Sequence, residues 1–215
     1  MTPASTIAKK LQTPIGVVSC GIKADFIDYE SRQLRKYKNG SSEIFLTASH
    51  QIELIEFKRK MPLHNGDTVT DTFGWMWRIE KLSNELEPLE TYCLLDMQSE
   101  QTTFDISTGE HLDAIEASND SWILHIGTED GEIMSSRAAN NDWFPSRLGS
   151  TVGFDRSITE MKKSGFITKI PDLLKKEKLH VQYLAAYDKR DIQKVNTWLA
   201  VDEFKGNLEN WVGIR

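Results

Sequence analysis

The side chains with the clearest potential for chemistry are the carboxylates in the middle of the chain. Thirteen Asp and Glu residues lie between Glu85 and Glu132, and Lys and Arg are absent from residues 82–136. The two flanks, residues 1–84 and 154–215, each carry twelve basic and nine acidic side chains. A field of one sign attracts and complements a positively charged partner. It also argues against a nucleic-acid ligand on this part of the surface.

Two arrangements of these carboxylates are open from the sequence. They can lie on one face and form a docking surface, or they can scatter over several faces, because an antiparallel sheet alternates its sides. In the second case they serve only solubility. If they form one surface, the residues expected to contact the partner are Asp113, Glu116, Asp120, Glu129, Asp130 and Glu132, with Trp143 or Phe144 as an apolar anchor.

A second kind of chemistry is suggested by Glu56 and Lys58, which match the Glu-x-Lys element of metal-dependent nucleases. Such a site needs an acidic residue on a neighbouring strand to share the metal, and Asp71 or Asp28 are the candidates. The same two residues also fit a charged, solvent-facing strand edge, which is the more common role of this pattern.

The histidines give a weaker indication of catalysis. His125 lies close in sequence to Thr128 and Glu129, where it could act as a general base on a strand. No nucleophile is evident beside it, so a half-buried structural histidine is the favoured interpretation. None of the five histidines has the spacing of a metal-binding pair. We therefore predict no catalytic residue, no metal ligand and no cofactor.

The composition bounds the class of protein. The chain of 215 residues is 39% hydrophobic and 27% charged, with a net charge of −6, which is typical of a globular protein. No stretch reaches the roughly 20 apolar residues of a membrane span. The two cysteines, Cys20 and Cys93, predict two buried thiols rather than a disulfide framework. These features predict a cytoplasmic protein without a membrane anchor.

The elements that would position these residues fall into two regions. Residues 1–150 show an alternating pattern, clearest at residues 73–80, where Phe73, Trp75, Trp77 and Ile79 point to one face. Further strands are expected at residues 15–20, 44–46, 52–56, 92–97 and 122–126. A short helix is expected at residues 5–12, and residues 29–38 fit a helix or an extended segment. Tight turns are expected at residues 64–67 and at Asp130-Gly131, where residues 132–136 would return as a strand.

Residues 151–215 carry helix signals instead. Ser157 and Glu160 form a capping-box pattern, Gly165 could end that helix, and Pro171 could open the next one. One strand is expected at residues 180–187, a helix from Asp191 to about residue 201, and a last helix around residues 208–211. The sequence therefore predicts an α+β fold: an antiparallel β-meander over residues 1–150, with a mostly helical region at 151–215 packed on it as one unit.

Three segments resemble immunity proteins of bacterial toxin–immunity systems: residues 122–132, 142–148 and 197–202. The resemblance implies a small cytoplasmic protein that binds and blocks one cognate toxin, often a basic nuclease. It identifies no functional residue, because these families share no catalytic motif.

The leading hypothesis is accordingly a non-catalytic binding protein, an immunity-type inhibitor that occludes a basic protein partner with its acidic central surface. One alternative is a metal-dependent hydrolase or nuclease that uses Glu56 and Lys58. Another is a structural or assembly subunit. The sequence leaves the oligomeric state open.

Overall fold

The computed structural model describes residues 5–60, 71–97, 102–108, 112–190 and 197–214. Strands hold 58% of these residues and helices 15%. In chain order the strands are β1 (Ser5–Gln12), β2 (Gly16–Ala24), β3 (Asp28–Tyr37), β4 (Gly40–Leu46), β5 (His50–Arg59), β6 (Asp71–Lys81), β7 (Leu89–Met97), β8 (Thr103–Thr108), β9 (Leu112–Ser118), β10 (Trp122–Glu129), β11 (Thr159–Lys162), β12 (Gly165–Ile170) and β13 (Lys178–Lys189).

The described strands form two sheets in which every pair is antiparallel. One sheet has five strands in the order β1-β2-β7-β12-β11, and the other has eight in the order β3-β4-β5-β6-β13-β10-β9-β8. The helices are α1 (Gly131–Ala139), α2 (Thr197–Val201) and α3 (Lys205–Val212), with a 3₁₀ turn at Ser146–Thr151. Because β11 and β12 join one sheet and β13 the other, the chain beyond residue 150 contributes strands to both.

The two sheets face each other across the main core. Val18 and Ile22 of the smaller sheet pack in one cluster with Trp77 and Tyr183 of the larger sheet. The hydroxyl of Tyr183 also lies 2.9 Å from that of Thr91 and 2.6 Å from that of Thr168, both in the smaller sheet. The buried tyrosine is therefore fully hydrogen-bonded and ties the layers together.

The opposite face of the eight-stranded sheet is covered by the last two helices. Ile55, Met76 and Leu184 pack there against Val201 and Leu208. Strand β6 is consequently buried on both sides, with its tryptophans toward the first sheet and Met76 toward the helices. The predicted strand at residues 73–80 is confirmed, although the structure gives it no solvent-facing side.

The prediction of an α+β fold with a helical last third is wrong. Ser157 does not open a helix: its hydroxyl accepts a hydrogen bond from the N–H of Thr159 at 3.0 Å, at the start of β11. Gly165 has a positive φ of 147° because it begins β12 against β7, where a Cβ atom would lie 2.0 Å from the carbonyl oxygen of Cys93. Pro171 is followed by a loop. Serine, glycine and proline occur both at helix ends and at strand turns, so their local sequence pattern wrongly predicted helices here.

Two further elements differ from the prediction. Residues 132–136 lie in α1, because the Asp130 side chain accepts from the N–H groups of Glu132 and Ile133 and so caps a helix instead of forming a hairpin turn. Residues 5–12 form β1, since the spacing of Ile7 and Leu11 fits one face of a strand as well as one face of a helix.

Other predicted elements are found where they were expected. The strand at residues 180–187 lies within β13, and the last helix corresponds to α3. Residues 29–38 are extended, in β3. The turn at residues 64–67 and the helix start at Asp191 lie outside the described residues. Within the described part of the chain, no helix is long and apolar enough to cross a membrane.

The two cysteines lie opposite each other in neighbouring strands. Cys20 of β2 is paired in register with Cys93 of β7, and both are buried free thiols. Burial, followed by the neighbouring Cys93, raises the pKa of the Cys20 thiol well above its ordinary value. The Cys20 thiol is therefore held neutral in the core.

Candidate functional site

An acidic cleft lies where β10 ends and α1 begins. We define it by Asp113, Asp130, Glu132, Phe154, Asp155 and Arg156, which line a cavity of about 550 Å³. Asp113 comes from β9, and its partner in register, Thr128, lies near the end of β10. Asp130 and Glu132 come from the first turn of α1, and the other residues come from the segment that precedes β11. The cleft thus joins three parts of the chain at one end of the eight-stranded sheet.

The far wall of the cleft is a tight turn. Gly153 and Arg156 form an isolated two-residue bridge, with N–H to O distances of 2.9 and 3.1 Å. This bridge packs directly on Gly131, where a Cβ atom would lie 2.2 Å from the Arg156 oxygen. Only glycine at position 131 lets the turn approach this closely. The turn carries Asp155 and Phe154 at its tip, and Phe154 is 84% exposed.

The carboxylates of the cleft form no ion pair with a described residue. Among the residues that the structure describes, no lysine or arginine lies within ion-pairing distance of Asp113, Glu132 or Asp155. Among the described residues, Arg156 is the one basic side chain in the lining, and its guanidinium donates at 2.6 Å to the backbone oxygen of Ser150. The negative charge of the cleft is therefore not cancelled from within the described part of the molecule.

The pKa of Asp113 reflects its burial and the neighbouring negative charge. Its burial, and after that the negative charge of Asp130, hold the pKa of the Asp113 carboxyl above its ordinary value. A carboxylate whose ionised form is disfavoured by burial and by a neighbouring negative charge favours the arrival of a cation. Asp130 cannot move away, because its side chain caps α1 through the N–H groups of Glu132 at 2.9 Å and Ile133 at 2.8 Å.

The structure separates the remaining predicted contact acids from the cleft. Glu129 is buried and paired with Arg137. Glu116 lies on the opposite face of β9 from Asp113, beside His125 on the helix-covered side. Asp120 is exposed in the turn between β9 and β10, roughly 20 Å along the hairpin from Asp113. Of the six predicted acids, Asp113, Asp130 and Glu132 come together and the other three do not.

The two predicted apolar anchors also lie elsewhere. Phe144 is 1% exposed and belongs to the core between the sheets. Trp143 is half-buried against two cations, with the Arg78 guanidinium 4.8 Å and the Lys178 ammonium 5.2 Å from its ring centroid. Neither side chain reaches the acidic cleft. The exposed aromatic residue that does line it is Phe154.

The residues of the proposed nuclease core are engaged in separate ion pairs. Glu56 binds Lys9 at 2.8 Å, and Lys58 binds Asp71 at 2.6 Å. Lys58 pairs in register with Phe73 and Glu56 with Trp75, which places Asp71 and Glu56 roughly 13 Å apart along the strands. Asp28 lies on β3, at the edge of the sheet. The structure does not bring these acids together around a common point.

His125 is a buried structural residue in this geometry. Its Nδ1 lies 2.8 Å from the hydroxyl of Thr197, the first residue of α2, and its side chain is 1% exposed. Burial lowers the pKa of His125 to about 4, so the ring is neutral near pH 7. Thr128 donates to the backbone oxygen of Gln182 at 2.9 Å and does not face the histidine.

A second polar cluster was missed from the sequence. The Ser49 hydroxyl lies 2.9 Å from Nδ1 of His50, 2.8 Å from a carboxylate oxygen of Glu87 and 3.3 Å from the ammonium of Lys81. Although burial opposes its charge, hydrogen bonds from His50, Thr47 and Ser49 lower the pKa of Glu87 to about 2. Ser49 and His50 are 0% and 2% exposed. The cluster therefore ties the β4–β5 turn to the loop after β6, and it presents no nucleophile to solvent.

The residues that the sequence missed in the acidic cleft are Phe154, Asp155 and Arg156. They are about 25 residues from Asp130 in the chain, and no local pattern connects the two segments. The one available signal was Gly153 next to a phenylalanine in a polar stretch. Among the described residues, no group of three or more His, Cys, Asp or Glu side chains is arranged to hold a metal ion.

Comparisons with protein-family models, with curated proteins and with solved structures found no match for the chain.

Proposed function

We propose that the protein is a non-catalytic binding protein whose acidic cleft receives a basic side chain of a partner protein. The observation that carries this proposal is the cavity with four carboxylates, Asp113, Asp130, Glu132 and Asp155, and no ion-paired lysine or arginine among the described residues. A volume of about 550 Å³ lies within the range of ligand sites and accommodates one arginine or lysine side chain.

An arginine fits the chemistry of the cleft best. Its planar guanidinium can bind two carboxylate oxygens at once, which a lysine ammonium cannot do. The exposed ring of Phe154 offers a cation–π contact at the rim, or an apolar surface for the arginine stem. Insertion of the cation would also relieve the repulsion between Asp113 and Asp130.

The biological form of this proposal is an immunity-type inhibitor that acts in the cytoplasm and occludes the basic active-site cleft of a toxin or nuclease. Catalytic clefts that bind nucleic acid are lined with arginine and lysine, so an acidic surface that receives one of these side chains blocks the substrate path. The mechanism is occlusion and needs no reaction on this chain.

The binding step can be tested with a hexa-arginine peptide in calorimetric titrations. The variant D113N/E132Q/D155N removes three charges from the cleft and leaves the α1 cap Asp130 in place. The matched control D96N/D105N/D120N removes three exposed carboxylates elsewhere. We expect the cleft variant to bind at least about tenfold more weakly, equal to about 1.4 kcal/mol, and the control to stay within about twofold.

Equal losses in the two variants would contradict the cleft assignment, because bulk charge alone would then explain the binding. The inhibitory role is tested on a basic partner purified from the source cell. The wild-type chain and the control variant should stop its enzymatic activity at a one-to-one ratio, and the cleft variant should not. A partner that stays active with the wild-type chain bound would contradict inhibition while leaving the binding step intact.

A further inference from the structure

A second charged cavity lies beyond the other end of α1. We call it the lysine pocket and define it by Trp143, Pro145, Lys175, Lys176, Glu177 and Lys178, which line a cavity of about 300 Å³. Trp143 and Pro145 come from the segment that follows α1, and the other residues immediately precede or begin β13. All of these residues are outside the acidic cleft.

Glu177, the one carboxylate that the described residues place in the lining of the lysine pocket, is already neutralised. Arg147 binds Glu177 through two parallel contacts, Nε to Oε1 at 2.7 Å and Nη2 to Oε2 at 2.6 Å. The N–H of Leu174 also donates to Glu177, at 2.7 Å. Burial opposes the charged form, but these hydrogen bonds hold the pKa of Glu177 below its ordinary value. Its charge is therefore unavailable to the lysines.

The lysines consequently leave a positive surplus. Lys175 and Lys176 are exposed, and neither forms an ion pair within the described part of the chain. Lys178 is 3.3 Å from a carboxylate oxygen of Glu80 and lies against the Trp143 ring. Two of the lysines that line the cavity, Lys175 and Lys176, therefore have no counter-ion among the described residues.

The backbone around the lysine pocket is held in an unfavourable conformation. The described residues other than glycine with positive φ are Asn141, Trp143 and Lys176, at 50°, 51° and 72°, and all three line this cavity. A residue in the left-handed region costs of the order of 1 kcal/mol or more unless its surroundings fix it.

Several hydrogen bonds fix these residues. The carbonyl of Trp143 accepts from the guanidinium of Arg137 and from the N–H of His180, both at 2.8 Å. The N–H of Lys176 donates at 2.8 Å to the carbonyl of Lys81. The walls of the pocket are therefore preformed, and strain that is maintained in this way is typical of ligand sites.

We infer that the lysine pocket binds the phosphate group of a small phosphorylated molecule. Two uncompensated ammonium groups match the charge of a phosphate dianion, and lysine binds phosphate as a point charge. A cavity of about 300 Å³ holds a phosphate with a small attached group, but no larger chain. Trp143 and Pro145 supply an apolar wall for that group. The inference is independent of the function proposed for the acidic cleft.

Calorimetric titration of the full chain with inorganic pyrophosphate tests this inference, with acetate as the monovalent comparison. We expect saturable one-to-one binding of pyrophosphate and none of acetate at the same concentration. The variant K175Q/K176Q should weaken pyrophosphate binding at least about tenfold, because it removes the two free ammonium groups. The control K162Q/K163Q removes the same charge from the β11 hairpin and should stay within about twofold.

The absence of saturable pyrophosphate binding by the wild-type chain would overturn the inference. Equal weakening by the two lysine variants would also overturn it, because it would show attraction to bulk charge only. Thermal unfolding of both variants confirms that they are folded, which is expected because these lysines lie at the surface.

Discussion

The acidic cleft and the lysine pocket lie at opposite ends of one helix and carry opposite charge. Helix α1 has nine residues and spans about 13 Å, with Asp130 and Glu132 at its first turn and the lysine pocket beyond its last. The helix macrodipole favours this arrangement, because its N-terminal end stabilises anions and its C-terminal end stabilises cations. One short element therefore helps to place two cavities that suit opposite ligands.

The two cavities differ in why their charged side chains lack a counter-ion. In the acidic cleft, like charges face each other, and burial and Asp130 raise the pKa of Asp113. In the lysine pocket, Arg147 neutralises the carboxylate of Glu177, and three residues of the wall have positive φ angles. Binding of a cation would relieve the repulsion between the carboxylates of the acidic cleft, whereas the walls of the lysine pocket are already in place before a ligand binds.

The largest effect is expected from the residue that links the two cavities. Arg137 pairs with buried Glu129 and donates to the backbone oxygens of Asp142, Trp143 and His180. Arg137→Ala should lower the free energy of unfolding by about 3–5 kcal/mol, because it leaves the Glu129 charge buried without a partner. Chemical denaturation measures this, and both cavities should lose their ligands.

The double variant R137M/E129M serves as the control for Arg137. It removes both charges together and should recover most of the lost stability. A loss below about 1 kcal/mol for Arg137→Ala alone would show that α1 is not anchored as described.

The next effect concerns the fold rather than either cavity. His125 has a pKa of about 4 when folded, below the value of 6.5 of a free histidine. Between about pH 6.5 and pH 4, His125 therefore binds a proton in the unfolded chain but not in the folded chain. Stability should be full above about pH 6.5 and fall by up to about 3 kcal/mol toward pH 4. Denaturation curves at pH 7, 5.5 and 4 measure the loss, which His125→Gln should reduce. His180, with its pKa lowered by burial and then by Arg137, acts in the same direction.

A single methyl group should distinguish the two cavities. In Gly131→Ala the new Cβ would lie 2.2 Å from the Arg156 oxygen and push away the wall of the acidic cleft. We expect a cost of about 1–3 kcal/mol in thermal unfolding, weaker hexa-arginine binding and unchanged pyrophosphate binding. Gly206→Ala in α3 is the matched control, because nothing lies within 4 Å of its Cβ position. Equal effects on both ligands would deny that the cavities are separate.

The smallest effect is a gain. Asp113→Asn removes one of the two carboxylates that repel each other, so it should raise the free energy of unfolding by about 0.5 kcal/mol. It should weaken hexa-arginine binding at the same time, as expected when a binding site stores unfavourable charge. A clear loss of stability in thermal unfolding would show that Asp113 has a structural role instead.

The sequence predicted the strongly periodic elements and missed those whose signals are ambiguous. The tryptophan alternation in β6 follows the strand period, and the long apolar run of β13 is typical of a strand that is buried on both faces. Ser157, Gly165 and Pro171 were predicted to lie at helix ends. The prediction failed because serine, glycine and proline also occur at strand turns. Position 165 requires glycine because the backbone there lies close to β7, and this contact exists only once the strands are paired.

The acidic cleft was predicted in part for a similar reason. The charge map drew attention to residues 113–132, but it could not say which acids share a face. Glu116 is three residues from Asp113 and therefore on the other side of β9, and Glu129 is paired inside the molecule. Asp155 and Phe154 reach the cleft through a tertiary contact of their turn with Gly131, which no local pattern reveals.

The pKa of the Asp113 carboxyl, measured by NMR with and without the hexa-arginine peptide, tests the central claim most directly. The free chain should show a pKa above the ordinary aspartate value, because burial and Asp130 disfavour the charge. With the peptide bound, the pKa should fall to that value or below it, since a guanidinium beside the carboxylate stabilises the ionised form. A pKa that stays unchanged while the peptide binds would show that the cation lies elsewhere, and it would contradict the assignment of the acidic cleft.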